Sequence, residues 1–575
     1  MPRGLVHPSF LAGGRLPNQW DLFAILVVFG ILVAMVPVAG GTFAPVSAPE
    51  ALTIHLDPVY LPYYAARTTL RMFGALAASL VFTFTYGTAA AKSRRAGVVL
   101  IPLLDILQSV PILGFLTFTV AFFLGLFPGR VLGLELAAIF AIFTGQAWNM
   151  AFSLYQSLRT LPSDLQEVSQ SFRLGAWQRF WRLEVPFAVP GLVWNTMMSM
   201  SGGWFFVVAS EAVTLGEKTW TLPGIGSYVA LALERRDIAA VGYAIGAMLV
   251  VILLYDQLLF RPLVAWSSKF RFETTAAVEA ADPWMLRLVR RTHLLRAALT
   301  MLGDAMNWAG GLRLGRGGRR RAFRPPPSRV VDAAWLLVLG VVLAWAAWQL
   351  ASFVAGQLSW ADVREALLLG CVTLARVAVL MAIATLVWVP VGVWLGLRPA
   401  WARRAQPVAQ FLAAFPANLL YPPFVLFIVH FHLNPDIWLT PLMVLGTQWY
   451  ILFNVVAGAA AFPGDLREAA TNFGVRGWLW WRRVMLPGVM AYYVTGAITA
   501  SGGSWNASIV AEVASWGETK LVANGLGSYI ADATAKGAMA KVVLGVAVMS
   551  GFVLLINRLL WRPLYAYASR RLTLS

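Results

Sequence analysis

Few residues of this chain have the types and spacing that enzyme chemistry requires. The single cysteine, Cys371, excludes a disulfide within the chain and cysteine-based zinc or iron–sulfur sites. Of five histidines only His430 and His432 are close together, and we interpret them as interfacial residues at a helix end rather than as metal ligands. No nucleophile–base pair and no Walker-type phosphate loop is found in the sequence. We therefore expect this chain to bind no metal or cofactor and to hydrolyse no ATP by itself.

Small and polar residues interrupt two long apolar segments, 187–210 and 488–513. Polar groups inside a membrane often mark a pathway, whereas small residues also let helices pack closely; the pattern leaves both interpretations open. The candidate pathway residues are Asn195, Ser201, Gly202, Gly203, Trp204, Ser501, Gly502, Gly503, Trp505 and Asn506.

Two arginines follow Thr-Leu pairs near the start of apolar segments, Arg71 after Thr69-Leu70 and Arg376 after Thr373-Leu374. They are predicted to lie in the outer third of their helices. There they either attract an anion or extend outward to the interface. Acidic residues in apolar surroundings are few, and the comparison of the two halves assigns no charged twin to the three candidates, which are Asp105, Glu135 and Asp256.

The composition indicates a membrane protein. Among 575 residues, 59% are hydrophobic and only 12% are charged, about half the charged fraction of a soluble domain. Apolar runs long enough to cross about 30 Å of hydrocarbon form two sets of six. The first set is 21–40, 68–91, 107–127, 132–156, 187–210 and 239–260, and the second is 333–355, 367–397, 411–431, 437–459, 488–513 and 539–560.

The distribution of basic residues orients these spans. With both termini inside, 34 of the 45 Lys and Arg residues fall in cytoplasmic segments, as the positive-inside rule requires. The same bias explains the net charge of +19, which suits an anionic membrane surface, so no nucleic-acid partner is needed.

The chain contains an internal repeat. Pro162-Ser-Asp-Leu-Gln-Glu167 recurs as Pro463-Gly-Asp-Leu-Arg-Glu468, and Arg261-Pro-Leu recurs as Arg562-Pro-Leu, with a common spacing of 301 residues. Each half therefore has six helices in the same orientation, which is a parallel repeat.

Between the fourth and fifth spans of each half lies a polar segment of about 28 residues, predicted to be a helix, a turn and a second helix. In the second copy Glu468, Ala469 and Ala470 are followed by Gly474 and by Pro487. This pattern resembles the EAA loop of ABC importer permeases, a family in which the loop docks onto an ATP-binding subunit. Glu211 followed by Gly224-Ile-Gly226, and Glu512 followed by Gly525-Leu-Gly527, are similar to a pattern of the nitrate/taurine/sulfonate class of this family, and the duplication resembles its anion-transport permeases.

The first copy of the loop departs from the pattern at one position. Arg173 stands where the second copy has Gly474, and Gly175 follows two residues later, so we expect Arg173 not to need a conformation reserved for glycine. The residues that match the motif in this copy are Glu167, Phe172, Gly175 and Pro186.

The resemblance implies an all-α integral membrane protein with two tandem six-helix ABC type-1 transmembrane domains, about 12 transmembrane helices in all. It implies the permease subunit of an importer in the bacterial inner membrane, and the solute that it implies is a small anion. The implied partners are two ATP-binding subunits, as a homodimer holding ATP and Mg²⁺, a periplasmic or lipid-anchored substrate-binding protein and membrane lipids. The predicted domains are 1–64 with the first span, 65–262, a basic linker 263–332, 333–365 with the first helix of the second half, 366–564 and a tail 565–575.

Two other interpretations compete with this one. A 12-helix secondary transporter of the major-facilitator kind also has two parallel-related halves, but it gives the duplicated loop no role. A membrane enzyme lacks a visible catalytic group. Within the linker, Trp284, Leu288 and Leu302 share one helical face beside basic residues, which fits either an amphipathic helix at the membrane or a solvated linker.

Overall fold

A computed structural model describes residues 19, 21–22, 53–110, 112–215, 218–270, 284–312, 329–460, 462–516 and 519–571. The predicted first span, 21–40, and the Gly- and Arg-rich end of the linker therefore lie almost wholly outside the described residues.

The first half consists of helices joined by short turns and one hairpin. Its elements are α1 (Leu61–Phe82), α2 (Thr88–Lys92), α3 (Arg94–Ser109), α4 (Ile112–Leu126), α5 (Val131–Arg159), α6 (Ser163–Ser171), α7 (Ala176–Arg179), α8 (Val185–Glu211), β1 (Ala212–Leu215), β2 (Lys218–Thr221), α9 (Ile225–Glu234), α10 (Ile238–Tyr255) and α11 (Arg261–Ser267). The linker contributes α12 (Trp284–Arg291) and α13 (His293–Gly311), so this part of it is helical, and its placement at the membrane stays a prediction.

The second half follows the same order. Its elements are α14 (Arg329–Gln357), α15 (Trp360–Gly396), α16 (Pro399–Ala414), α17 (Tyr421–His430), α18 (Pro435–Trp438), α19 (Trp449–Ala460), α20 (Gly464–Asn472), α21 (Gly477–Trp480), α22 (Leu486–Ala511), β3 (Val513–Trp516), β4 (Thr519–Val522), α23 (Leu526–Ala535), α24 (Met539–Ile556) and α25 (Arg562–Arg571). Several helices begin with proline in the first turn, where no backbone N–H is required, as at Pro399 in α16 and Pro487 in α22.

The repeat predicted from the sequence is confirmed in the order and spacing of the elements. From α6 onward, each element that begins in the first half begins again 301 residues later; α6 and α20, α8 and α22, and α10 and α24 are such pairs. The two halves therefore have the same fold in this region.

Two short antiparallel hairpins were not predicted. β1 pairs with β2, with Ala212 opposite Thr221, and β3 pairs with β4, with Val513 opposite Val522. Each hairpin is closed at its base by one further bond, from Leu222 N to Glu211 O in the first half (2.8 Å) and from Ala523 N to Glu512 O in the second (2.8 Å). Strands of four residues are too short to show a period in an apolar sequence.

The described residues contain seven helices long and apolar enough to cross a membrane, or nine if two bent pairs are each one span. Seven of the predicted spans fall on those helices, and 411–431 falls on one bent pair. The span predicted at 437–459 overlaps the other pair in Trp449–Ala460 alone, because that pair continues into α20 of the polar loop. The span predicted at 187–210 lies on α8, which is not among the seven. The span predicted at 107–127 is a helix of only 15 residues, Ile112–Leu126, about 22 Å long. The all-helical, tandem membrane fold is thus confirmed, and the protein is a multi-pass membrane protein.

The contacts divide the chain into two units, which we describe separately. One unit contains the first polar loop and the linker helices, and the other contains most of both halves. In the larger unit a cluster of apolar side chains joins α4 to α5. Its members are Ile112, Leu116, Val120, Val131, Leu134, Ala137, Ala138, Ala141 and Leu222.

Candidate functional site

The polar loops of the two halves end their first helix with the same turn. In the first loop Leu174 N donates to Ser169 O (3.1 Å) and Arg173 N donates to Gln170 O (2.9 Å). In the second loop the equivalent bonds are Val475 N to Ala470 O (2.9 Å) and Gly474 N to Thr471 O (3.0 Å). This pair of bonds is the Schellman motif, which needs a left-handed residue just after the helix.

Arg173 provides that left-handed residue in the first loop, with φ of 50°, and Gly474 provides it in the second, with φ of 65°. The expectation that Arg173 would avoid this conformation is therefore wrong, because the helix-ending hydrogen bonds impose it whatever the side chain. The same pairing of arginine in the first half with glycine in the second is found after α9 and α23, where Arg236 has φ of 57° and Gly537 has φ of 67°. A non-glycine residue in this region is strained, so the first half holds two strained turns that the second half relieves with glycine.

One side of each loop helix is free. Glu167 and Glu468 are exposed, and Phe172 and Phe473, which directly follow the two helices, are 75% and 84% exposed. On the opposite side Ser169 and Ala470 are buried, and Ala469 is half-buried. A surface that combines carboxylates with large unpacked rings is typical of a protein-docking site.

The first loop is covered by the linker, within one unit of the chain. Trp177 Nε1 donates to Ala309 O (2.8 Å) and Gln178 Nε2 donates to Gly311 O (2.8 Å). Gly310 lies so close to Trp181 that an added Cβ would be 3.1 Å from the Trp181 Cβ. Gly175, which precedes α7, is buried, and its N–H is accepted by Gln178 Oε1 (3.3 Å). By contrast Trp478, the equivalent of Trp177, is 73% exposed.

The glycines of α8 and α22 permit close helix packing. An added Cβ on Gly203 would be 2.7 Å from Gln146 Nε2, and one on Gly503 would be 2.6 Å from Thr447 Cγ2. Gln146 and Thr447 are separated by the repeat spacing of 301, whereas Gly203 and Gly503 are separated by 300, so the two contacts are similar but shifted by one residue on the fifth-span helix. Gly502 has open space around it.

The other candidate pathway residues of these helices have mixed surroundings. Asn195 Nδ2 donates to Ser153 Oγ (3.1 Å), and Asn506 Oδ1 accepts the backbone N–H of Ile112 (2.6 Å) at the start of α4. Asn506 therefore joins the second half to the first. Ser501 is buried, Ser201 is half-buried, and Trp204 and Trp505 are fully buried.

Arg71 lies in a buried cluster of charged groups in the first half. It donates through Nε to Glu135 Oε2 (2.5 Å), through Nη1 to Glu211 Oε1 (2.6 Å), and through Nη2 to Glu135 Oε1 (2.8 Å) and Pro223 O (3.0 Å). Arg67 pairs with Glu135 as well. Because Arg71 is 1% exposed, it does not extend outward to the interface.

Glu211, at the end of α8, collects further donors in this cluster. Its carboxylate accepts from Thr68 Oγ1 (2.6 Å) and from Gly226 N (2.6 Å), and Thr68 Oγ1 also accepts from Ile225 N (3.1 Å). The cluster therefore fixes the end of α8 and the start of α9 to α1.

A matching cluster surrounds Arg376 in the second half. Arg376 Nη1 donates to Glu512 Oε1 (3.2 Å) and Nη2 donates to Asp436 Oδ1 (2.9 Å). Glu512 also accepts from Thr373 Oγ1 (2.8 Å) and Ser528 N (3.0 Å). Leu526 N donates to Thr373 Oγ1 (2.9 Å), so α15, α22 and α23 are joined as α1, α8 and α9 are.

Sequence reasoning missed two equivalences in these clusters. Glu135 does have a charged twin, Asp436, at the repeat spacing of 301, and both bind the central arginine. The threonine equivalent to Thr373 is Thr68 rather than Thr69, since Thr68 makes the bonds. Thr68 and Arg71 are each 305 residues from their equivalents, Thr373 and Arg376. This spacing exceeds the repeat spacing of 301 by four residues, which is about one helical turn, so the side chains stay on the same face of the helix.

Within the described ranges, no group of three His, Cys, Asp or Glu side chains is arranged to hold a metal ion.

The chain is similar to several transport proteins. It is 29% identical over 186 residues to the bicarbonate transport system permease protein CmpB of Synechococcus elongatus, a match that covers 32% of this chain and 64% of that protein. It is 29% identical over 187 residues to the glycine betaine/carnitine transport permease protein GbuB of Listeria monocytogenes (31% and 58%). It is 26% identical over 187 residues to the nitrate import permease protein NrtB of Leptolyngbya laminosa (32% and 63%).

The chain thus spans less than two thirds of the length of each of these relatives. It also matches a protein family twice, once in each half. The matched residues, 73–260 and 388–570, make up more than half of the chain. The chain therefore belongs to the family described as binding-protein-dependent transport system inner membrane component, and it carries the domain of that family in duplicate.

Proposed function

We propose that this chain is the transmembrane permease subunit of an ATP-driven importer, with both halves of the translocation pathway in one polypeptide. Family membership supports an importer permease rather than the secondary transporter considered above. The relatives named for bicarbonate and nitrate support a small anion as the solute. The relative named for glycine betaine and carnitine makes a zwitterion the competing class.

The observation that carries this proposal is the pair of matched polar loops. Each has an exposed glutamate, Glu167 or Glu468, and an exposed phenylalanine five residues later, and each first helix ends in the same Schellman turn. Two equivalent docking surfaces in one chain suit two identical ATP-binding subunits. With the orientation that the basic residues predict, both loops face the cytoplasm, where ATP is available.

In this proposal the solute passes between α8 and α22. The small and polar residues there, with the open space at Gly502, support a pathway, while Gly203 and Gly503 support close packing beside it. Alternating access is driven by the ATP-binding subunits, which hold the ATP and Mg²⁺. A periplasmic or lipid-anchored binding protein delivers the solute on the outer side of the inner membrane, so the hairpins β1–β2 and β3–β4 face that protein.

Reconstitution tests this function. The purified chain is placed in proteoliposomes with the ATP-binding subunit that co-purifies with it and with a binding protein from the same cells. We expect ATP hydrolysis that rises when bicarbonate- or nitrate-loaded binding protein is added. We also expect Glu167→Lys and Glu468→Lys each to reduce capture of the ATP-binding subunit, whereas Arg364→Gln, an exposed change on α15, leaves it unchanged. Wild-type capture by both glutamate variants would show that these loops are not the docking sites.

A further inference from the structure

The contacts in the two buried charge clusters indicate a role for the arginines other than attracting an anion. We propose that Arg71 and Arg376 are positioning residues, which hold the fifth-span glutamates Glu211 and Glu512 and thereby fasten each hairpin to the core. This proposal rests on the proposed function, since it concerns how the permease transmits movement during transport.

Each cluster joins the same four parts of its half. In the first half these are α1 through Thr68 and Arg71, α5 through Glu135, the end of α8 through Glu211, and the first turn of α9. In the second half α15, α18, α22 and α23 are joined in the same way. The hairpin lies between the last two parts in both halves, so its two ends are fixed by one cluster.

The carboxylates sit in a pocket that only glycine permits. An added Cβ on Gly224 would collide with the carboxylate of Glu211, and one on Gly525 would collide with that of Glu512. Two residues later Gly226 and Gly527 lie against the carbonyl oxygens of Val208 and Ser508. The Gly-x-Gly pattern therefore has a steric purpose in each half, because it lets the backbone approach the glutamate and donate to it.

Arg71 has little hydrogen-bonding capacity left for a solute, whereas Arg376 makes two hydrogen bonds, to Glu512 and Asp436. Four hydrogen bonds from Arg71 go to protein acceptors, and a guanidinium has five N–H donors. The charges around Arg71 also balance, since two arginines face two glutamates. Around Arg376 two carboxylates face one arginine, because Val372 occupies the position equivalent to Arg67. An anionic solute that binds either arginine would have to displace these carboxylates, and the negative charge of the carboxylates would repel it.

The clusters lie at the base of the hairpins, and this position connects them to transport. Glu211 and Glu512 are the last residues before β1 and β3, and their carbonyl oxygens close the hairpins. If the binding protein pushes on a hairpin, the movement reaches α1 or α15 through the arginine. Breaking a buried pair by removing one partner leaves an uncompensated charge, so loss of the arginine alone is worse than loss of both partners.

The second cluster offers the cleaner test, since Asp436 is 38% exposed at its side chain and is also bound by Asn524 N (2.7 Å) and Nδ2 (3.1 Å). Asp436 keeps these two donors from Asn524 when Arg376 and Glu512 are both replaced by Gln. The variants are Arg376→Gln, Glu512→Gln, the double variant, and Arg364→Gln as a control on the same helix. Thr373→Val removes the hydroxyl that bridges Glu512 and Leu526 without changing any charge.

Two measurements are made on the full chain. Hydrogen exchange of residues 512–528 in detergent reports whether the hairpin is fastened and does not depend on transport. Uptake by the reconstituted complex separates the maximal rate from the apparent KM for loaded binding protein. We expect Arg376→Gln to speed exchange and to lower the maximal rate by about tenfold or more, with KM within about twofold of wild type. Thr373→Val should also speed exchange and lower the maximal rate, but by less than Arg376→Gln does.

The double variant decides between positioning and solute contact. We expect its exchange and its uptake rate to be closer to wild type than those of Arg376→Gln, because no unpaired charge is left at position 512, with Arg364→Gln unchanged throughout. The proposal is overturned if Arg376→Gln leaves exchange unchanged, or if the double variant is no better than the single one while KM rises. If the wild-type complex shows no uptake, the proposed function fails, and the exchange data alone still test the cluster. If Arg376→Gln does not fold, recovery of folding in the double variant supports the proposal and its absence contradicts it.

Discussion

Gly474→Val tests the Schellman turn of the second loop. Nothing lies within 4 Å of the position where its Cβ would be, so the cost of this substitution is set by backbone conformation and not by a clash. A residue with a side chain at φ of 65° loses about 1–2 kcal/mol relative to glycine, and β-branching makes this worse. If the whole cost appears in docking, affinity for the ATP-binding subunit falls about 5–30-fold.

Arg173→Gly should have the opposite effect in the first loop. Arg173 already has φ of 50°, so glycine relieves the strain. Glycine also gives the unfolded chain more conformational freedom, which lowers the free energy of the unfolded state by about 0.4–1 kcal/mol. The expected result is unchanged or slightly tighter docking. Gly464→Ala is the matched control, because Gly464 is also exposed with free space around it but does not have positive φ.

The assay is capture of the ATP-binding subunit at several concentrations, together with substrate-stimulated ATP hydrolysis. Hydrogen exchange over 464–476 locates the change in the loop. The reasoning is refuted if Gly474→Val and Gly464→Ala bind equally well, or if Arg173→Gly weakens docking as much as Gly474→Val does.

Three further predictions follow from single contacts. Trp177→Phe removes the bond to Ala309 O and should speed hydrogen exchange of α13, whereas Trp478→Phe, at the exposed equivalent, should change no exchange outside its own loop. Gly203→Val places a side chain against Gln146 and should lower stability by about 1–3 kcal/mol in thermal unfolding, whereas Gly502→Ala, in open space, should not; equal melting temperatures would contradict the packing. Asn506→Leu leaves Ile112 N–H without its acceptor and should cost about 1–3 kcal/mol, measured by the same thermal unfolding, and an unchanged melting temperature would show that this bond contributes nothing.

The sequence predicted the helical membrane fold and the repeat well, because both depend on local composition and spacing. The polar loops were predicted as helix, turn and helix, and α6, α7, α20 and α21 have that arrangement. The hairpins were missed because their strands have four residues each, and a longer helical pattern on both sides hides them.

The charge clusters could be predicted only in part. Thr373, Arg376 and Glu512 were each noticed, yet α15 and the end of α22 are more than a hundred residues apart, and no local pattern shows that they meet. Asp436 was overlooked as the twin of Glu135 although the spacing of 301 identifies it. Arg173 was misjudged because a side chain was taken as evidence against positive φ, whereas the hydrogen bonds that end the helix determine φ there.

The central claim is that one copy of this chain provides both docking surfaces for ATP-binding subunits. The most direct measurement is the mass of the intact complex captured from its native membrane, by native mass spectrometry or by light scattering in detergent. The account predicts one permease chain with two ATP-binding subunits. A complex with two copies of this chain and two ATP-binding subunits, or capture without any ATP-binding subunit, would contradict it.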